Sequence, residues 1–179
     1  MITPLDIIEF WYSERMSKTW FSATPAVDQE IRDKYATLWE RAASGKLDEW
    51  QNSPEGCLAL IIVLDQFPLN MYRGQEKSFA TERRAVEVAW HAVKNNVDQR
   101  LKPEWLSFLY MPFMHSEFIS EQNMAVNLFR EAKLYANLEF AENHREIIRK
   151  FGRFPHRNKI LNRDSTKEEI EYLNSSKAF

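Results

Sequence analysis

The stretch LIIVLDQFPLNMYRG, residues 60–74, contains the strongest structural signal in the chain. It continues an apolar run that begins at Cys57, and a run of this length is typical of a helix buried on all sides. The run ends abruptly at Asp65 and Gln66, which lie four residues after Ile61 and Ile62 and so share their faces of a helix. We therefore predict a central buried helix that carries two polar side chains inward or along the wall of a groove.

Helix starts are marked elsewhere by a hydroxyl residue followed by proline, which is typical of an N-cap and the first helical position. These pairs are Thr3-Pro4, Thr24-Pro25 and Ser53-Pro54. Ser165 and Glu168 have the spacing of a capping box and predict a last short helix.

Apolar residues recur with helical spacing between these starts, and strand-like alternation is nowhere sustained. One helix is predicted from about Thr81 to Val93, and a long helix from Ser116 onward through Phe118 to Tyr135. The next helix contains Phe140, Ile147, Ile148 and Phe151. We predict one all-α domain over residues 1–179, with eight to ten helices in antiparallel pairs that resemble an α-solenoid more than a four-helix bundle.

Composition excludes several classes of protein. The 179 residues include four glycines and a single cysteine, Cys57, so a disulfide framework is excluded and Cys57 is interpreted as a small core residue. No apolar stretch approaches the roughly 18 to 20 residues that span a bilayer, and the first ten residues lack the basic start of a signal peptide. We expect a cytoplasmic protein with no membrane partner.

Asp65 presents an electrostatic problem, because a carboxylate near the C-terminal end of a helix is opposed by the helix dipole and needs a partner. Arg73 and Arg153 are the predicted partners. One interpretation is structural, with Asp65 pairing to an arginine to lock the turn, and the other places Asp65 in a polar site.

The stretch FGRFPHRN, residues 151–158, is the second informative one. Gly152 can end a helix in the left-handed conformation, and the following proline stiffens the turn. Arg153, His156 and Arg157 are thereby presented on a rigid connection. Guanidinium groups held in this way can bind a carboxylate or phosphate bidentately.

Two further histidines add to this set. His144 shares a helical face with Ile147 and Ile148, a pattern that a core histidine also produces. His115 stands in MPFMHSEF at the predicted start of the long helix, with Gln122 on its face and Glu117 nearby.

Four segments resemble one known family. LDQFPLNMYRG, FATERRAVEVA, MPFMHSE with Gln122, and FGRFPHRNKIL followed by STKEE are similar to the bacterial family known as domain of unknown function 924, over nearly the whole chain to about Leu173. The resemblance implies an all-helical, tetratricopeptide-like right-handed array. It implies no activity, substrate or cofactor, so no catalytic residue is carried over. Asn162 stands where a glycine is expected.

The first functional hypothesis is a binding protein whose polar pocket holds a small anionic ligand or a peptide carboxylate. Its candidate residues are Asp65, Gln66, Arg73, His115, Glu117, Gln122, His144, Arg153, His156 and Arg157. The second is a hydrolase or phosphoryl-transfer enzyme that uses the same residues, with a histidine as general base. The third is a scaffold in which these residues form a buried structural network.

Other functions receive less support. P-loop, GxSxG and HExxH signatures are absent. A metal site would combine His115, Glu117, His144 and His156, which lack diagnostic ligand spacing, so we predict no metal and no cofactor. Residues 145–163 are basic, but a net charge of −2 and a pI near 6.1 do not predict nucleic acid as a partner. The oligomeric state is left open.

Overall fold

The structure is a computed structural model that describes residues 2–175, and within this range it contains helices and no strands. The helices are α1 Pro4–Trp11, α2 Glu14–Ser17, α3 Pro25–Ala43, α4 Pro54–Ile61, α5 Phe67–Met71, α6 Glu82–Lys94, α7 Leu106–His115, α8 Ile119–Glu131, α9 Tyr135–Phe151 and α10 Lys167–Leu173. Short 3₁₀ turns occur at Asp48–Asn52, Glu76–Phe79, Asp98–Arg100, Pro103–Trp105 and Pro155–Arg157. The predicted all-α class is confirmed. The tetratricopeptide-like right-handed array and the single domain stay predictions.

The predicted helix starts at Thr3, Thr24 and Ser53 are confirmed, because each hydroxyl accepts a backbone N–H from the first turn of its helix. The capping box predicted at Ser165 is wrong by one residue. Thr166 and Glu169 form it instead, since the Ser165 hydroxyl accepts a hydrogen bond from Asn158 at 3.0 Å.

The long helix predicted from Ser116 to Tyr135 is also wrong. α8 begins at Ile119 and ends at Glu131, and Lys133 then takes the left-handed φ of 57° that breaks the helical path. Phe118 and Tyr135 are therefore exposed rather than part of a buried stripe. His115 is the last residue of α7, not the first turn of the following helix.

The backbone between α4 and α5 makes a π-helical turn at Ile62–Gln66, so residues 54–71 form one continuous helix, which we call the central helix. Residues 56–68 of this helix are all buried. It packs against α1, α3, α6 and α7, which explains why its sequence is apolar on every side. Burial also raises the pKa of the Cys57 thiol to about 11, as expected for a core cysteine.

Pro68 explains why the central helix changes its winding. Proline has no N–H, so the Leu64 carbonyl, four residues earlier, loses its usual helical donor. The Thr81 hydroxyl replaces that donor at 2.5 Å, and the same hydroxyl accepts the indole N–H of Trp39 at 2.9 Å. The Phe67 N–H instead reaches back five residues to the Ile62 carbonyl, as in a π-turn.

The remaining apolar residues form a main core that runs from α1 to α9 and a smaller cluster of Ile147, Ile148 and Phe154. α9 packs against α7 and α8, which brings its C-terminal half next to the end of α7. None of the described helices is long and apolar enough to cross a membrane.

Replacing Thr81 tests the role of its hydroxyl. Thr81→Val keeps the side-chain shape but leaves the buried Leu64 carbonyl and Trp39 indole without their partner, so we expect a loss of about 1 to 3 kcal/mol per unsatisfied group. The measurement is the urea unfolding midpoint and slope. Thr37→Val on the exposed face of α3 is the matched control and should change stability by no more than about 0.5 kcal/mol. Equal effects of the two substitutions would contradict this role.

Candidate functional site

A cavity of about 240 Å³, which we call the inner cavity, is lined by five of the ten candidate residues predicted from the sequence. Its charged and titratable walls are Asp65, Glu82, His115, His144, His156 and Arg157. Leu64, Leu69, Ser78 and Phe79 complete the lining. The predicted candidates Asp65, His115, His144, His156 and Arg157 therefore meet at one place, although they come from distant parts of the chain.

The six charged and titratable residues of the inner cavity come from five elements of the chain. Asp65 comes from the π-turn of the central helix, Glu82 from the first position of α6, and His115 from the last position of α7. His144 lies in α9. His156 and Arg157 follow in the 3₁₀ turn, because the chain reverses at Gly152, whose φ of 70° ends α9 in the left-handed conformation as predicted.

Asp65 pairs with His115, and the predicted pairing to Arg73 or Arg153 is wrong. The Nδ1 atom of His115 lies 2.9 Å from a carboxylate oxygen of Asp65, whose side chain is 2% exposed. Burial disfavours the imidazolium, but the adjacent Asp65 carboxylate outweighs it and raises the pKa of His115.

Arg157 is buried, with its guanidinium 4.6 Å from the ring centroids of both Phe79 and Phe154. Its two Nη atoms donate to the Glu82 carboxylate at 2.8 Å and to the His115 carbonyl at 2.9 Å. Its Nε atom has no hydrogen-bond partner among the described residues. Burial raises the pKa of Glu82, even though Arg157 opposes this shift.

Phe154 packs against two histidines of the inner cavity, and its backbone is held by an ion pair. Its ring, fully buried, contacts the rings of His144 at 5.4 Å and His156 at 5.5 Å between centroids. Glu117 accepts the backbone N–H of Phe154 at 2.7 Å, and Arg163 donates to the Phe154 carbonyl at 3.2 Å. Glu117 and Arg163 also pair bidentately, so one ion pair holds both the N–H and the carbonyl of Phe154.

The two other histidines of the inner cavity differ in protonation from His115. Burial lowers the pKa of His144 to about 4, and its Nδ1 atom lies 2.8 Å from the Phe140 carbonyl. His156 lies at the exposed rim, where partial burial and then the Arg157 charge lower its pKa. Near neutral pH the inner cavity therefore contains two neutral imidazoles beside the Asp65–His115 pair.

The structure places the other candidates outside the inner cavity. Gln122 is buried and donates to the Met114 and Ser116 carbonyls, so it joins α7 to α8. Arg153 pairs with Glu169, and this ion pair holds the pKa of the Glu169 carboxyl at about 2. Glu117, with Arg163, positions Phe154, and these pairs hold the pKa of Glu117 below its usual range despite burial.

Gln66 and Arg73 line a second cavity of about 320 Å³, which we call the outer cavity. Its other walls include Trp20, Phe21, Met111 and Ile160. Arg73 is not a partner of Asp65, because it donates bidentately to Asp28 of α3 at 2.7 and 2.9 Å.

Sequence reasoning missed Glu82, Phe79 and Ser78 as residues of the inner cavity. A signal was available, because Phe79 and Glu82 both fall in FATERRAVEVA, one of the four segments that carry the family resemblance. A glutamate is common in the first turn of a helix, so Glu82 alone carries no functional signal. Within residues 2–175 no group of three or more His, Cys, Asp and Glu side chains is arranged to hold a metal ion.

These features define an all-helical protein with a polar cavity enclosed by the central helix, α6, α7, α9 and the turn after α9. The chain belongs to the family described as "Bacterial protein of unknown function (DUF924)", whose model matches residues 7–177. It is similar to a protein of unknown function from Agrobacterium tumefaciens, with 38% sequence identity, 96% of each chain covered and a TM-score of 0.90. No curated protein matches the chain.

The histidine pKa shifts have opposite consequences for stability. His144 has a lowered pKa, so its contribution is present above the unfolded-state pKa of about 6.5 and is lost as the pH falls toward 4. His115 has a raised pKa, so its contribution is complete below about 6.5 and is lost as the pH rises through the folded-state value.

NMR titration of the imidazole nitrogens checks this assignment. We expect His115 to protonate above its ordinary pKa of about 6.5 and His144 only near pH 4. In Asp65→Asn the pKa of His115 should fall, because burial then acts without the carboxylate. A His115 pKa that is unchanged in this variant would show that Asp65 does not control it.

Proposed function

We propose that the inner cavity binds a small anionic ligand, most simply a carboxylate. The guanidinium of Arg157 binds the negatively charged group of this ligand. The observation that carries this proposal is the placement of Arg157, a buried cation at a cavity wall. Buried charges are normally paired and fully hydrogen-bonded. Arg157 has one carboxylate partner, Glu82, and an Nε donor that no described residue satisfies.

The raised pKa of Glu82 supports an anion at this position. A carboxyl group whose pKa is raised takes up a proton more readily when a second negative charge approaches. Glu82 can thus become neutral and release Arg157 to the ligand. Below its raised pKa His115 carries a second positive charge at the same cavity, while Asp65 keeps its ring in a fixed orientation.

The scaffold interpretation applies to a different subset of residues. Gln122, Arg153 and Glu117 have partners that join one element to another, and none of them lines the inner cavity. The cavity-lining set leaves an enclosed space that a purely structural network would not need. We propose that the chain acts as a single domain, and the lone buried Cys57 supports a reducing, cytoplasmic location.

Two arginines in one segment provide a matched test. Arg157→Lys keeps a positive charge but removes the planar fork, so binding of acetate or inorganic phosphate should weaken about tenfold or more. Arg153→Lys, four residues earlier, lies outside the inner cavity and should leave binding unchanged. Isothermal titration calorimetry measures the two affinities, and circular dichroism confirms that both variants are folded.

His156→Asn, at the exposed rim, is a second variant that leaves the buried packing intact. Equal affinities of wild type, Arg157→Lys and His156→Asn for both anions would reject the inner cavity as the anion site. The same holds if wild type binds neither anion.

A second candidate function follows from the Asp65–His115 contact. A histidine whose Nδ1 atom faces a carboxylate is oriented as in enzymes that use its other nitrogen as a general base. Arg157 lies close enough to donate to the His115 carbonyl, so a developing anion near His115 would meet a guanidinium. The residues support hydrolysis of an ester or a phosphoester in the same cavity.

Hydrolysis of p-nitrophenyl acetate and p-nitrophenyl phosphate tests this second function. If His115 is the general base, the rate should rise with pH through the raised pKa of His115, and Asp65→Asn should lower both the rate and the midpoint. His115→Gln should abolish the pH-dependent part. A rate that is the same in wild type and His115→Gln would exclude this role.

A further inference from the structure

We propose that the ligand is a small free carboxylate with an apolar body, its charged group in the inner cavity and its body in the outer cavity. This inference rests on the proposed function, because it takes Arg157 as the anchor for the charged group. It adds the chemical class of the remaining part of the ligand and the residues that select it.

The two cavities are adjacent, because Leu69, Ser78, Phe79 and His115 occur in both linings. One ligand that spans both cavities would therefore pass these four residues. His115 thus stands at the boundary, held by Asp65 on the inner side. A carboxylate placed between His115 and Arg157 therefore directs the rest of its ligand toward the outer cavity.

Size favours a ligand that extends beyond the charged group. The inner cavity, at about 240 Å³, lies below the range of about 300 to 1,000 Å³ found for small-molecule pockets. The outer cavity alone, at about 320 Å³, reaches that range. A charged group of a few atoms fits the first, and a ring or a short alkyl chain fits the second.

The chemistry of the outer cavity favours an apolar body. Trp20, Phe21, Met111 and Ile160 supply its apolar surface. Apart from His115 at the boundary, its charged side chain is Arg73, which is already paired bidentately with Asp28. Gln66 donates to Asp65 and to the Met111 sulfur, so its donor is also engaged. Asn70 and Ser78 also line the outer cavity, and both are hydrogen-bonded within the fold. The apolar side chains are therefore the surface left for the body of a ligand.

Trp20 is held rigidly and Phe21 is largely exposed, and this difference supports an apolar ligand in the outer cavity. The Trp20 indole is fixed by a 3.0 Å hydrogen bond to the Trp11 carbonyl and by contact with the Phe108 ring at 4.7 Å. Phe21, the next residue, is 83% exposed at the cavity wall. A rigid aromatic wall beside an exposed phenyl ring leaves apolar surface that an apolar body would cover.

The test compares ligands that differ in one part at a time. Acetate has only the charged group, phenylacetate and octanoate add an apolar body, and phenylacetamide has the body without the charge. We expect phenylacetate or octanoate to bind about tenfold to a hundredfold tighter than acetate, since burying a phenyl-sized group contributes that much. Affinities are measured by calorimetry on wild type and on the variants below.

Phe21→Ala is the informative variant, because an 83% exposed side chain contributes little to folding. In this variant the affinities for phenylacetate and octanoate should fall toward the affinity for acetate, and the affinity for acetate should be unchanged. Phe140→Ala, 56% exposed on α9 and outside both cavities, is the matched control and should change neither. Tryptophan emission should change with phenylacetate and not with acetate, and this change should disappear in Trp20→Phe.

The outcomes separate the two proposals. Acetate binding that depends on Arg157, with no gain from either apolar body, would overturn this inference and leave the proposed function standing. No Arg157-dependent binding of any carboxylate would overturn both, as would phenylacetamide binding as tightly as phenylacetate. Tighter binding of a dipeptide that ends in phenylalanine than of the free acids would overturn the small-ligand assignment.

Discussion

The hydrogen bond from the Thr81 hydroxyl to the Leu64 carbonyl is the interaction on which both fold and site depend. Pro68 removes the helical donor for that carbonyl in the most deeply buried helix of the chain. An unpaired carbonyl there would be destabilising, so α6 must begin where Thr81 can reach it. The next residues along the two segments are Asp65 and Glu82, which both line the inner cavity. The hydrogen bond that replaces the missing helical donor therefore also brings Asp65 and Glu82 to the same cavity.

A second constraint acts on the opposite side of the inner cavity. The chain after α9 must hold His156 and Arg157 in a single short 3₁₀ turn rather than in a longer helix. Glu117 and Arg163 achieve this by binding the N–H and the carbonyl of Phe154, whose ring then supports three side chains of the cavity. Asn162, where glycine was expected, takes a positive φ of 52°, a conformation that asparagine tolerates better than most residues. The turn thus keeps the geometry that a glycine would allow.

Local signals predicted the helices, and they failed where distant residues decide the outcome. The N-caps at Thr3, Thr24 and Ser53 and the stop at Gly152 depend on neighbouring residues, and they are confirmed. The inner-cavity residues were found because polar side chains on apolar faces are visible in a sequence. Their partners were not: Asp65 meets His115 across 50 positions and Arg157 meets Glu82 across 75. Spacing along a helix carries no information about such contacts, so Arg73 was chosen only because it is near in sequence.

The direction of the pKa shifts separates the ion pairs that stabilise the fold from those at the cavity. Glu117 and Glu169 face arginines that lower the pKa of each carboxyl, so these acids remain charged and their pairs remain closed. Burial raises the pKa of Glu82, and the Asp65 carboxylate, acting against burial, raises the pKa of His115. A pair intended only to hold helices together gains nothing from a partner that changes charge easily. Such a partner suits the proposed function, because an anion bound near Arg157 is accommodated when Glu82 takes up a proton from solvent and loses its negative charge.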